Sequence, residues 1–445
     1  MRHQEEALEK CANAKVFGYL MGVGTGKTFT LLEDAYRLYQ ANKIEILVVV
    51  APKVLCIQWC RAIDEYYNNK NFNYRLSYRS KILKLFSNKL SIFIINVESF
   101  SRKAHHQLDN LIKQEYKKIM VAIDESTKIK NINAQRTKTI LKVFHQAEYK
   151  RILTGSIITE CIVDAYAQFT FLSKDIFPYS LRGFQNMFTV QQKMYGPFGS
   201  FTKTLANRNM PHFTDTINPL VFQIAIEDCV DLPGKIYNNF YITLSDATRV
   251  IYNKLFKDMI YELKELDKHG QKEILVMFAL LKFHKLHEII SRDDSKFKAI
   301  DQIIETHPHS KIIIWCSHLN EVALLRNSLQ VSHKDKSIGV IADGEYPKEA
   351  EKKDILVVTM QSGSYGLNFQ DFNVNIYFNR MYSMAVKIHS EARSYRIGTK
   401  QKVFYYDIIA ENTIDNDTLF ILDKKHILIS DLIDKLNKTN VQDER

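Results

Sequence analysis

Runs of β-branched and other apolar residues alternate with stretches of helical spacing along most of the chain. Residues 44–50, 92–97, 119–123 and 151–154 form one series of such runs; 311–315, 337–342, 355–359, 374–378 and 403–409 form a second. A continuous apolar run bounded by polar turns, with a helix-length spacer before the next, is the pattern of a parallel strand covered on both faces. Two series predict two α/β domains. Between them, over 160–295, the strand rhythm weakens, and 246–266 and 271–291 take helical spacing with Lys and Glu facing outward. The turn signal Leu232-Pro233-Gly234 sets the boundary. A first domain is expected over 1–232, carrying an aromatic and basic insertion over 171–220. Residues 233–445 then hold a helical linker over 240–292 and the second domain over 293–445, closed by one or two helices in 413–436.

Composition changes the picture only at the edges. Of 445 residues, 46% are hydrophobic and 25% charged, which suits a folded chain and excludes a disordered or fibrous one. The 61 Lys and Arg against 50 Asp and Glu leave +11, an excess that favours a polyanionic partner, usually nucleic acid. No apolar run approaches the roughly 18 residues a membrane span needs. Six scattered cysteines without a C-x-x-C pair read as reduced thiols rather than metal ligands. Met1-Arg2-His3-Gln4 opens without an apolar signal core, so a soluble, cytoplasmic protein with no membrane partner is expected.

The chemistry starts at Gly22-Val23-Gly24-Thr25-Gly26-Lys27-Thr28. Small residues let backbone N–H groups turn inward around phosphate oxygens, and the following helix adds its positive N-terminal dipole. Lys27 is placed to reach the β- and γ-phosphates and Thr28 to ligate Mg²⁺, so ATP and Mg²⁺ are the expected cofactors. Met21 stands where the strict pattern has Gly. The bland reading is a glycine-rich turn before a helix. The run 119–123 ends in Asp124-Glu125-Ser126-Thr127, which places two carboxylates at a strand's C-terminal end, where α/β sheets bind ligands. Asp124 would hold Mg²⁺ and Glu125 would orient and deprotonate the attacking water. Alone, such a pair is as readily a helix cap; after a phosphate loop it reads as chemistry.

Gln4, Gly24-Thr25-Gly26-Lys27-Thr28, Ala51-Pro52, Asp124-Glu125-Ser126-Thr127 and Leu153-Thr154-Gly155-Ser156 stand in the order of the superfamily 2 helicase motifs, which the chain resembles. The resemblance leans to the Snf2-like branch, through Val49-Val50-Ala51-Pro52-Lys53-Val54-Leu55 running on to Trp59, and through Lys130-Asn131. It implies that Gln4 contacts adenine and that Thr154 and Ser156 couple hydrolysis to DNA. The family usually has His after its acidic pair and Thr-Pro where Ser156-Ile157 stand. In the second half, Gln361-Ser362-Gly363-Ser364-Tyr365-Gly366-Leu367-Asn368 resembles motif V, with Gly366 and Asn368 as its nucleotide-side residues. His389-Ser390-Glu391-Ala392-Arg393-Ser394-Tyr395-Arg396-Ile397-Gly398 resembles motif VI. Arg393 and Arg396, three apart, are expected on one helix face as arginine fingers for the γ-phosphate. Standing alone they would read as a surface ion-pair helix. Ser295-Lys296-Phe297 and residues 312–315 extend the likeness across nearly the whole chain.

The fold class implied is two tandem RecA-like domains, parallel sheets with helices on both faces, with a helical insertion and linker between them. Nucleic acid should cross the sheet edges away from ATP and touch mostly phosphates, with Lys53, Ser99, Lys128 and Lys130 as candidates in the first domain and Ser317, His318 and Gln361 in the second. Segment 171–213 interleaves Phe171, Phe177, Tyr179, Phe184, Phe188, Tyr195, Phe198, Phe201 and Phe213 with basic residues. Its rings could stack on bases at a junction, but packing of the insertion is the favoured reading. The function implied is an ATP-dependent DNA translocase or helicase, monomeric and core-only, acting on duplex, forked or branched DNA in replication, recombination or repair. Phages carry motors of this kind for branch migration, which would put it in a host cytoplasm. The rivals are an RNA helicase and a non-hydrolysing ATP-gated DNA-binding factor.

Overall fold

Two parallel sheets organise the chain in the computed structural model, which describes residues 1–69, 74–78, 89–101, 118–159, 161–196, 199–229, 232–268, 284–343, 349–363, 369–379, 384–396 and 398–415. The first contains β1 (Val16–Met21), β2 (Ile46–Ala51), β3 (Tyr74–Tyr78), β4 (Leu90–Asn96), β5 (Ile119–Asp124), β6 (Tyr149–Thr154) and β9 (Val221–Ile224), ordered β3-β4-β2-β5-β6-β1-β9. The apolar runs are continuous because both faces are covered. Val48, Val50, Val121, Ile123 and Ile152 enter one core, while Leu47, Val49, Met120, Ala122 and Leu153 enter the other. Successive side chains of a strand alternate in direction, so each strand feeds both cores.

Register positions the chemistry. In the parallel pairs β1–β6 and β5–β6, Leu20 faces Thr154 and Asp124 faces Leu153. The C-terminal ends of three neighbouring strands therefore lie level. At about 4.8 Å per strand, the loop after β1 and the carboxylates after β5 are separated by roughly 10 Å.

The second sheet is also all parallel, ordered β10-β15-β14-β11-β13-β12: β10 (Lys235–Ile242), β11 (Ile312–Cys316), β12 (Ile338–Ile341), β13 (Ile355–Thr359), β14 (Val374–Tyr377) and β15 (Val403–Ala410). Tandem RecA-like architecture is thus observed. By compactness the chain divides into one unit built from Met1–Gln192 and Thr204–Asp231 and another built from Lys193–Lys203 and from Leu232 on.

The middle of the chain holds more strand than its pattern predicts. Strands β9 and β10 both fall in the stretch of weak rhythm; β9 is four residues long, and β10 mixes Tyr and Asn into an edge position. The expected helical insertion has helices at Val163–Leu172, Leu181–Phe188 and Met210–Ile217, but between them lies a two-stranded sheet, β7 (Thr189–Gly196) and β8 (Gly199–Asn207). Thr189, Val190 and Tyr195 in one arm, Phe201, Thr202 and Thr204 in the other, and Gly196 and Gly199 between them are a weak hairpin signal that the interleaved Gln and Lys residues obscure. Phe171, Phe177, Phe184, Phe188 and Phe213 are buried together, with Phe177 stacked on Phe213 at 5.5 Å between centroids. These rings form core. The side chains of Tyr195, Phe198 and Phe201 lie outside the described residues, as do 271–283 and 416–436 of the expected helices.

Each unit also buries a polar lattice. Arg151 on β6 is fully enclosed: its Nε donates to Asp34 Oδ2 (2.7 Å) and its terminal nitrogens donate to the carbonyls of Lys15, Lys150 and Ala14. Tyr19 donates to the same Asp34 oxygen (2.8 Å), so the strand before the glycine loop and the helix after it share one anchor. In the second unit, Lys296 pairs with Asp415 (3.1 Å) and donates to Phe378 O and Asn379 Oδ1. Among the described residues no helix is long and apolar enough to cross a membrane, and all six cysteines are free thiols.

Candidate active site

The glycine loop joins β1 to helix α2 (Lys27–Gln40). Met21, at the position where the strict pattern has Gly, is the last residue of β1 and fully buried, so the turn itself begins at Gly22. Gly24 and Gly26 take φ of 85° and 90°, a left-handed conformation that side-chain-bearing residues rarely adopt. Lys27 Nζ donates to Met21 O (2.8 Å) and Gly22 O (3.0 Å), which holds the ammonium at the inner side of the loop. Thr28 is the second residue of α2. The loop's shape is also braced by helix α1 (Arg2–Cys11): Gln4 Nε2 donates to Gly26 O (3.4 Å), and His3 Nε2 lies 2.9 Å from Thr25 O. Sequence reasoning picked Gln4 and missed His3, whose burial on an apolar face reads as ordinary core.

Across β6, Asp124 ends β5 and Glu125 follows in the left-handed region at φ 51° and ψ 57°. Both carboxylates are more than nine-tenths buried. Burial, with the neighbouring Glu125 charge, pushes the Asp124 carboxyl up from 3.8 to about 6, against the opposing pull of Trp59 and Lys27. Trp59, on helix α3 (Lys53–Asn69), donates its indole N–H to Asp124 Oδ2 at 2.7 Å, and the Glu125 amide donates to Oδ1 at 2.9 Å. A hydroxyl on α2 and a buried, electronegative carboxylate pair suit Mg²⁺, which takes hard oxygen ligands and shares its shell with phosphates and water. Among the described residues no set of three His, Cys, Asp or Glu is arranged to hold a metal by itself.

Hydrogen bonds link this site to the loop after β6. Thr154 Oγ1 donates to Ser156 O (2.8 Å) and accepts from Ser156 N, and Ser156 Oγ donates to Ile158 O. Gln168, fully buried and unremarked in the sequence, accepts from Ser126 Oγ (2.6 Å) and donates to Ile157 O (2.8 Å). The residue after Glu125 is thereby clasped to the Thr154–Ser156 turn.

The nucleic-acid candidates follow strand ends as expected, but several are engaged locally. Lys53 is exposed at the start of α3, its amide bonded to Glu98; Lys130 Nζ donates to Thr159 Oγ1 (2.7 Å) and lies 3.7 Å from Asp164. Ser99 bonds back to Asn96, and Lys128 is half-buried. In the second unit the amides of Ser317 and His318 donate to Glu321, and Ser317 Oγ donates to Asn379 O. The backbone of Gln361 lies in the short helix Met360–Gly363; its side chain, Gly366 and Asn368 lie outside the described residues.

The arginine pair departs from expectation. Arg393 lies on the helix Met384–Ser394, buried, with Nε donating to His389 O (3.1 Å), but that helix ends before Arg396. Thr399 Oγ1 donates to Ser394 O (2.8 Å) and accepts the Arg396 amide (3.1 Å), and Gly398 at φ 99° turns the chain away. The two arginines are therefore not successive positions on one helix face. Burial works against the Arg396 charge, and among the described residues its guanidinium has no ion-pair partner.

With this geometry in place, the comparisons are decisive. Residues 8–294 match the SNF2-related domain and residues 295–398 the helicase conserved C-terminal domain. The chain belongs to the SNF2 family. Among SNF2-family relatives, an uncharacterized ATP-dependent helicase of Mycoplasma genitalium is 23% identical over 96% of this chain and 42% of its own length. The ISWI chromatin-remodeling complex ATPase of Saccharomyces cerevisiae is 20% identical over 96% of this chain and 40% of that protein. The chain thus spans less than half the length of these relatives. The Sulfolobus solfataricus SWI2/SNF2 ATPase core in complex with dsDNA aligns over 97% of this chain and 91% of that one, at 18% identity and a TM-score of 0.45.

Proposed function

We propose that this SNF2-family chain hydrolyses ATP in response to DNA and uses the cycle to translocate on, and remodel, branched duplexes. The observation that carries the reading is the levelling of three strand ends, which sets the end of β1, where the loop to Lys27 and Thr28 starts, about 10 Å from the end of β5 at Asp124, whose carboxyl feels the Lys27 charge. In this reading the loop amides and Lys27 bind the β- and γ-phosphates, and Gln4 meets the base. Thr28 and Asp124 hold Mg²⁺, which when bound neutralises phosphate charge. Glu125 aligns the attacking water and takes its proton; its enclosure strengthens that interaction. By the sequence resemblance, Arg393, Arg396, Gly366 and Asn368 are this reading's further candidates for nucleotide contact. An arginine whose charge burial opposes, as it does at Arg396, and which has no acidic partner among the described residues, suits an incoming anion. Thr154 and Ser156, next to Ile157, whose carbonyl Gln168 ties to Ser126, relay the state of the site to DNA.

The net charge of +11 supports a nucleic-acid partner, with Lys53, Ser99, Lys128, Lys130, Ser317, His318 and Gln361 along the strand ends as phosphate contacts. ATPase measured with duplex DNA, a fork, a four-way junction and RNA tests the proposal. Stimulation by DNA, unwinding confined to the junction, and loss of both in Lys27→Ala are expected. Equal hydrolysis by Lys27→Ala would overturn the site; stimulation by RNA alone would replace the DNA reading with an RNA helicase.

A further inference from the structure

We propose that Trp59 is a positioning residue for the Asp124 carboxylate, holding it in the orientation in which it accepts Mg²⁺; this rests on the nucleotide-site reading above. The indole could have been merely core, since Trp59 is 2% exposed among apolar neighbours. Its N–H, however, reaches a carboxylate rather than a backbone carbonyl, at 2.7 Å, the short end of the range for a charge-assisted bond. The other oxygen of Asp124 accepts the Glu125 amide at 2.9 Å. One donor on each oxygen fixes the rotation of the carboxylate as well as its place, and leaves each oxygen further lone pairs for a cation.

The indole is itself immobilised. One turn to either side on α3, Cys56 and Ile63 are fully buried against the sheet, and Cys56 Sγ donates to the carbonyls of Ala51 and Pro52 at the end of β2. The backbone that carries Trp59 is thereby fixed on the sheet, and the indole, itself 2% exposed, is enclosed where it meets Asp124. Outer residues that orient a metal-holding side chain typically change metal affinity or activity about 10- to 100-fold when removed.

The chain has two tryptophans, Trp59 and Trp315, so ¹⁵N-indole labelling gives two N–H resonances, assigned by Trp59→Phe. In the full-length wild-type protein loaded with ADP, titration with Mg²⁺ is expected to move the Trp59 resonance. A stationary Trp59 resonance overturns the proposal, and this measurement leaves residue 59 intact. In parallel, ADP affinity is measured in Mg²⁺ and in EDTA. Trp59→Phe is expected to lose about tenfold of the Mg²⁺-dependent gain while its affinity in EDTA matches wild type. An unchanged gain, or an equal loss in both conditions, overturns it. Should wild type show no Mg²⁺-dependent gain at all, the nucleotide-site reading itself fails, and the proposal with it.

Discussion

Glu125 holds a conformation that most residues avoid, beside a like charge and more than nine-tenths shielded from bulk solvent. A non-glycine residue in the left-handed region is strained by about 1–2 kcal/mol, and the Asp124 carboxylate adds repulsion. Glu125→Gln removes the repulsion and keeps the shape. It is expected to unfold at higher temperature than wild type in calorimetry while hydrolysing ATP about 100-fold more slowly. Asp124 provides a pH signature. Raised to about 6, it is largely protonated at pH 5, and the proton occupies the oxygens a cation needs. The Mg²⁺-dependent part of nucleotide affinity should therefore fall from pH 7 to pH 5, with affinity in EDTA falling much less; isothermal titration at the two pH values checks this.

At the scale of elements, the loop between β1 and α2 depends on Gly26, whose φ of 90° strains any residue with a side chain, and an added methyl group would also displace the Gln4 amide. Gly26→Ala should destabilise the first unit by about 1–2 kcal/mol and weaken nucleotide binding, as read by equilibrium unfolding and by titration. The insertion is held by its phenyl cluster, so Phe184→Ala should cost about 3–5 kcal/mol in the same unfolding measurement. How far such elements can be read in advance depends on what stabilises them. Strands β2, β5 and β13 are legible because a strand buried on both faces must be apolar throughout, as Ile46–Ala51 is. Strand β1 carries Gly18 and Tyr19, and Tyr19 is tolerated only because Asp34 accepts its hydroxyl, a partner distant in sequence. The phosphate loop was legible for the opposite reason, since its shape is local and needs those glycines. Trp59 stood out in the sequence only as part of the Snf2-like run and Gln168 not at all, because their roles lie in hydrogen bonds across the fold.

Over the whole molecule, the two units keep separate cores and separate buried ion pairs. Asp415 shows how acid should act on the second. Burial, the largest single influence, would raise its pKa, but Lys296, His287 and the Ala410 amide together outweigh it and hold the carboxylate down to about 2 from 3.8. Because the folded group binds its proton less tightly than the unfolded one, its contribution, about 2 kcal/mol, is complete above about pH 4 and lost as pH falls toward 2. In wild type the second unit should lose stability steadily through that window; in Asp415→Asn it should be weaker at neutral pH and fall less steeply there, the remaining slope coming from Asp293 and Asp354, which are also held below their ordinary values, as followed by Trp315 fluorescence. The same pair bears on any attempt to express the second unit as a separate fragment. Lys296 stands on the helix before β11 and Asp415 at the far end of the unit's described residues, so a stop codon placed just before position 415, after β15, would discard the counter-charge of an enclosed ammonium. The resulting fragment would keep every β-strand of the second sheet and still be expected to aggregate, whereas extending it by a handful of codons past 415 should restore a soluble product.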